Sequence, residues 1–82
     1  MPEIARFYGI VIKLFFGDHP PPHFHAIYGE HVGLFDIDTL EMTAGDMPNR
    51  AKKLVIEWAV INKAEMKKMW DAQEFHKLPP LE

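Results

Sequence analysis

Cysteine and serine are both missing from the 82 residues. Without cysteine there is no disulfide framework and no thiolate zinc site, which fits a reducing cytosol. Without serine there is no serine nucleophile. No apolar run approaches the ~20 residues a membrane span requires, so no membrane association is expected. The start of the chain, Met1-Pro2-Glu3-Ile4-Ala5-Arg6, lacks the basic opening and apolar stretch of a signal peptide. Gly-rich phosphate-binding loops and internal repeats are also absent. Excess positive charge is missing too: the net charge is −3, which gives no general attraction to RNA. Residues 29–48 carry five acidic groups and no Lys or Arg, whereas residues 49–82 carry seven basic groups against five acidic ones. The basic clusters, Arg50-Lys52-Lys53 and Lys63-Lys67-Lys68, read first as a solvated helix face.

What remains is a chain of 48% hydrophobic residues, enough for one small folded domain spanning 1–82. Its most unusual stretch is Asp18-His19-Pro20-Pro21-Pro22-His23-Phe24-His25-Ala26, with three of the five histidines and three of the seven prolines. The prolines fix φ and remove backbone donors, which predicts a stiff, extended arm close to polyproline II. Beyond it, His23, His25 and Ile27 alternate with Phe24, Ala26 and Tyr28, which is the period of a strand.

Residues 10–16 form a β-rich run, with Ile10, Ile12, Leu14 and Phe16 on the expected core face. Residues 23–28 form the second strand. Gly29-Glu30 reads as a tight hairpin turn into a third strand over about 31–37, and a short fourth is expected at 40–43. Residues 2–8 read as a lead-in. After Gly45-Asp46-Met47-Pro48, with Asp46 or Asn49 as a cap, Ala51, Leu54, Val55, Trp58 and Ala59 mark one apolar helix face. Asn62 and Glu65 have the spacing of a capping box, with Ile61 and Met66 as its staple. The expectation is therefore two helices, about 48–61 and 63–75. The alternative is one unbroken helix, because Met66, Met69 and Trp70 continue the same phase. The fold class expected is α+β: an antiparallel meander of three or four strands over about 8–44, two helices packed on one sheet face, and a tail from 76. Val11 and Phe15 make the second face partly apolar, which suggests a homodimer or a protein partner.

Three readings are open for the histidines. His23 and His25, with His19 or Asp18, could ligate a divalent metal such as zinc, and His31 or Glu57 could join if the fold brought them close. Without metal, His23 and His25 could act as base and acid across an RNA phosphate, with Arg6 or Lys13 steadying the phosphoryl oxygens and Tyr28 positioning a base. In the third reading they do no chemistry: they are satisfied polar groups at a sheet edge, bonded to Asp18 or to backbone, with Phe24 and the proline arm as packing elements, or else the exposed Pro-Pro-Pro-His-Phe strand is a partner-binding edge. Asp36 and Asp38 could bind a cation but fit a solvated acidic face better. Trp58 and Trp70 read as core.

The chain resembles the small bacterial proteins grouped as domain of unknown function 4160. The resemblance rests on Pro2, Ile4, Arg6, Phe7 and Gly9-Ile10; on Asp18-His19, Pro21-Pro22-His23-Phe24-His25-Ala26 and Tyr28-Gly29-Glu30; and on Gly45, Pro48, Leu54-Val55, Glu57-Trp58-Ala59 and Trp70. It implies a prokaryotic cytoplasm and a small protein partner encoded beside it, in an arrangement similar to a toxin–antitoxin pair. It carries over no catalytic residue.

Overall fold

The structure, a computed structural model, describes residues 3–15, 17 and 19–81. Among the described residues five strands precede one helix: β1 (Glu3–Phe7), β2 (Ile10–Lys13), β3 (His23–Tyr28), β4 (His31–Asp36), β5 (Met42–Gly45) and α1 (Asn49–Ala72). The sheet runs β1-β2-β3-β4-β5, each strand antiparallel to the next.

Two parts of the expected fold are corrected. The stretch read as a lead-in contains β1, which pairs with β2 through a two-residue turn, Tyr8-Gly9. Both turn residues have positive φ, 49° and 78°, the geometry whose twist matches a hairpin. Tyr is an unusual occupant of the first position. A register irregularity between Glu3 and Ala5 also leaves Ile4 and Ala5 buried in succession, which erases the period-2 signal. The fourth strand lies two residues later than expected, at Met42–Gly45.

The second correction concerns the helices. The chain does not break at Asn62; one helix of 24 residues runs from Asn49 to Ala72. Asn62 is buried in mid-helix, and its side-chain N–H donates to the Trp58 carbonyl one turn back at 2.9 Å. Satisfied in this way, it needs no cap geometry. Continuing the helix buries Met66, Met69 and Trp70 on the same stripe as Val55 and Trp58, which a break would forfeit. Ile61, the expected staple residue, is instead 73% exposed. The helix starts after Pro48 with no side-chain cap, because Asp46 is committed to His31 at 2.7 Å.

The core lies between the helix and one sheet face. Phe7, Ile10, Ile12, Leu14, Phe24, Ala26, Phe35 and Ile37 are buried there. Phe24 stacks on Phe35 at 5.3 Å, and Trp58 meets Phe7 at 5.7 Å and Phe24 at 6.2 Å. Phe16, expected on the same face, lies outside the described residues. The opposite face carries Val11, Ile27 and Val32 in one register row and Lys13, His25 and Leu34 in the next. These residues are half-buried or exposed, since no helix covers them.

Gly45 and Gly29 separate two causes of glycine dependence. Both have positive φ, but a Cβ on Gly45 would lie 2.0 Å from the Val32 carbonyl oxygen, whereas one on Gly29 would meet nothing. Gly29→Ala should therefore cost only the left-handed penalty of about 1–2 kcal/mol. Gly45→Ala should cost clearly more and distort the β4–β5 pairing. Urea denaturation of the two variants checks this; equal losses would contradict it.

Candidate functional site

His23 and His25 stand two residues apart on β3 and point away from the buried Phe24 and Ala26. Their rings lie 5.3 Å apart, tilted by 57°. Each is braced by an aromatic neighbour. His25 meets Phe15 edge-on at 4.7 Å, and His23 lies 5.3 Å from Trp70 near the end of the helix. His23 Nδ1 is 2.9 Å from the Pro21 carbonyl oxygen. A carbonyl only accepts, so Nδ1 carries the proton, and in the neutral ring Nε2 is the acceptor and base.

The arm is tied to the helix end. Gly17 N–H donates to Gln73 Oε1 at 2.8 Å, and Gln73 Nε2 donates to the Trp70 carbonyl at 2.8 Å. Gln73 can do both because it sits just past the helix with a left-handed backbone, φ 55°. Arm, histidines and Trp70 are thereby held in one place. The Pro20–Pro21 peptide is cis, so the arm is not a continuous polyproline II run.

These elements enclose a cavity of about 360 Å³ lined by His19, Pro20, Pro21, His23, His25, Leu34, Asp36 and Thr43. It opens on the sheet face that the helix leaves bare. The three histidines singled out in the sequence therefore share one cavity. Asp36 is directly opposite His23 in the β3–β4 register. From the sequence it stands only with Asp38 as a cation ligand and not beside the histidines, although the Gly29-Glu30 turn implies that place: Tyr28 opposite His31 leads, pair by pair, to His23 opposite Asp36. Thr43 and Trp70 had no such signal, since their approach depends on the irregularity in β5 pairing and on helix packing, whereas Phe15 reaches His25 from just beyond β2, two residues past Lys13, the ladder partner of His25.

Other expected site residues lie elsewhere. Phe24 is wholly buried in the core and cannot form an exposed binding edge. Arg6, on the edge strand β1, makes a two-pronged pair with Glu3 at 2.9 and 3.1 Å and does not line the histidine cavity. Tyr28 faces the helix side and lines a different cavity, of about 520 Å³, together with Glu57. Lys13 is opposite His25 across the β2–β3 ladder but is not in the cavity wall. His31 is held by Asp46. Asp36 Oδ1 accepts from the backbone N–H of Asp38 and of Thr39 at 2.7 and 2.9 Å, so this carboxylate closes a turn. Asp18 lies outside the described residues. Among the described residues no three His, Asp or Glu side chains are grouped to hold a metal ion, and no helix is long and apolar enough to cross a membrane.

Fold and site together define a small α+β domain: a five-stranded antiparallel sheet, backed by one helix, with a histidine-lined cavity on its open face. The chain belongs to the family described as Domain of unknown function (DUF4160), whose family model matches residues 9–71. That stretch holds the histidine cavity and most of the helix, but neither β1 nor the residues after the helix. No curated protein and no solved structure matches the chain.

The hydrogen bond from Arg6 holds the Glu3 carboxyl below its ordinary range, and the Arg6 charge adds to the effect. A carboxylate lowered in this way contributes stability above the ordinary glutamate range and loses it as pH falls through the lowered value. In an NMR titration Glu3 should titrate below the ordinary glutamate range, and Arg6→Gln should return it to that range. An unchanged midpoint in Arg6→Gln would refute the pairing in solution.

Proposed function

We propose that this chain acts with a small protein partner, in a toxin–antitoxin-like pair in a prokaryotic cytoplasm, and that the histidine-lined cavity on β3 is where the partner is recognised. The observation that carries this reading is the convergence of His19, His23 and His25 on one cavity in the face that the helix leaves uncovered. Beside it runs the apolar row of Val11, Ile27 and Val32, the last 42% exposed. An open apolar strip with polar groups at its margin is the ordinary composition of a protein interface.

The test is co-expression with the product of the adjacent short gene, followed by calorimetry on the purified pair. A stoichiometric complex is expected, weakened at least tenfold by His23→Ala combined with His25→Ala while the variant melts as wild type does. Undiminished affinity would exclude the histidine cavity from the interface. Self-association of the isolated chain, read by light scattering, would assign the face to a homodimer instead.

A second reading, histidine-dependent RNA cleavage, is favoured by one observation: two imidazoles 5.3 Å apart in one cavity, the first with Nε2 defined as its base. Arg6, expected to steady the phosphate, is absent from that cavity. If this reading holds, single-stranded RNA is degraded with a bell-shaped pH profile, and His23→Ala and His25→Ala each lower the rate by about 10²-fold or more. A flat profile, or degradation that survives both substitutions, removes it. A metal-dependent hydrolase would need a third ligand from beyond the described residues.

A further inference from the structure

Residues 77–81, which follow the helix, are seated against the domain. Leu78 is buried, and its backbone N–H donates to the Ile4 carbonyl of β1 at 2.7 Å. The Pro79 carbonyl accepts from Trp58 Nε1–H at 2.8 Å. Leu81 is half-buried and lines the 520 Å³ cavity beside Leu54 and Arg50. Leu78-Pro79-Pro80-Leu81 thus runs along the seam between β1 and α1.

The seam has regular walls. On the helix side Arg50, Leu54 and Trp58 recur every fourth residue and form one stripe roughly 12 Å long. On the sheet side stand Phe7, stacked on Trp58, and then Tyr8 and Tyr28. An extended proline-rich segment rises about 3.1 Å per residue, so residues 78–81 span about 9 Å, less than the length of the stripe. Leu81 shares the 520 Å³ cavity with the two tyrosines and Arg50.

Aromatic-walled grooves hold proline-rich peptides in this manner. The prolines supply a segment already restricted in conformation, so little entropy is lost on docking. The Trp58 indole N–H donates to the Pro79 carbonyl and so fixes the register of the segment in the groove. The leucines on either side fill apolar recesses. The walls Arg50, Leu54 and Trp58 lie inside the stretch matched by the family model, and the occupying segment lies outside it.

We propose that this seam is a binding groove for a Leu-Pro-Pro-Leu-type segment of a partner protein, and that the chain's own residues 78–81 occupy it in cis until such a segment displaces them. The groove is on the helix side of the sheet, opposite the histidine cavity, so this assignment stands or falls independently of that one. The tethered occupant competes at an effective concentration on the order of millimolar, so the wild-type chain should bind the same sequence in trans only weakly.

The probe is a fluorescein-labelled synthetic peptide with the sequence of residues 76–82, titrated into the full chain and into its Leu78→Asp, Leu81→Asp variant. The variant is expected to bind it at least tenfold more tightly than wild type does. A peptide with alanine in place of both prolines should bind at least tenfold more weakly. A second measurement does not depend on the variant folding: unlabelled peptide, in millimolar excess over ¹⁵N-labelled wild type, should displace the tethered segment and move the Leu78 amide resonance saturably, as its N–H leaves the Ile4 carbonyl. If that resonance does not respond, or if the alanine peptide binds as well as the proline peptide, the proposal is overturned.

Discussion

The structure depends on the burial of one side chain, Trp58. Its ring touches Phe7 of β1 and Phe24 of β3, its indole N–H holds Pro79, and its carbonyl satisfies Asn62 one turn on. Sheet, helix and following segment therefore share a single contact point. Truncating a buried tryptophan typically costs about 3–5 kcal/mol. A chain of this size has total stability towards the lower end of about 5–15 kcal/mol, so that one residue commands a large part of it. The dependence follows from size: among the described residues one helix covers a five-stranded sheet, with no second helix to take over the packing.

Sharing one helix also explains why it is unbroken. The apolar stripe from Ala51 to Trp70 must reach from the Tyr8 and Tyr28 end of the sheet to the histidine end. Twenty-four residues span about 36 Å, well beyond the ~20 Å of a six-residue strand. The overhang brings Trp70 against His23 and lets Gln73 catch the arm at Gly17. A break at Asn62 would have left the proline arm with nothing to dock on. The long helix is thus part of how the site is built.

Elements with a strong local signal were readable from the sequence. The strands at Ile10–Lys13, His23–Tyr28 and His31–Asp36 announce themselves by alternation and by the Gly29-Glu30 turn, and Trp58 by the helical period. What was not readable had its local signal cancelled. A register irregularity erased the alternation of β1, and a tyrosine stands where a hairpin turn would normally advertise itself with Asn or Gly. At Asn62 a capping pattern and an unbroken apolar phase competed, and tertiary burial of Met66, Met69 and Trp70 decided for the phase. The site divides in the same way. The three histidines were legible as a cluster, and Asp36 follows from hairpin arithmetic. Arg6 and Phe24 lie away from the cavity, because proximity in sequence says nothing about which edge or face a side chain reaches.

The two faces of the sheet set different constraints on β3. Phe24 and Ala26 are packed against the helix, so the backbone between them cannot shift without disturbing the core. His23 and His25 share that backbone. Their Cα positions are therefore fixed by the hydrophobic layer behind them, and their ring planes by Trp70, Phe15 and the Pro21 carbonyl in front. A pair of imidazoles held from both sides loses little side-chain freedom when something binds to it, which is the condition under which a small site can be selective. The alternation of Phe and His in four residues is thus one device read from two directions: the apolar members anchor the strand, and the polar members use that anchorage to hold a fixed geometry towards whatever enters the cavity.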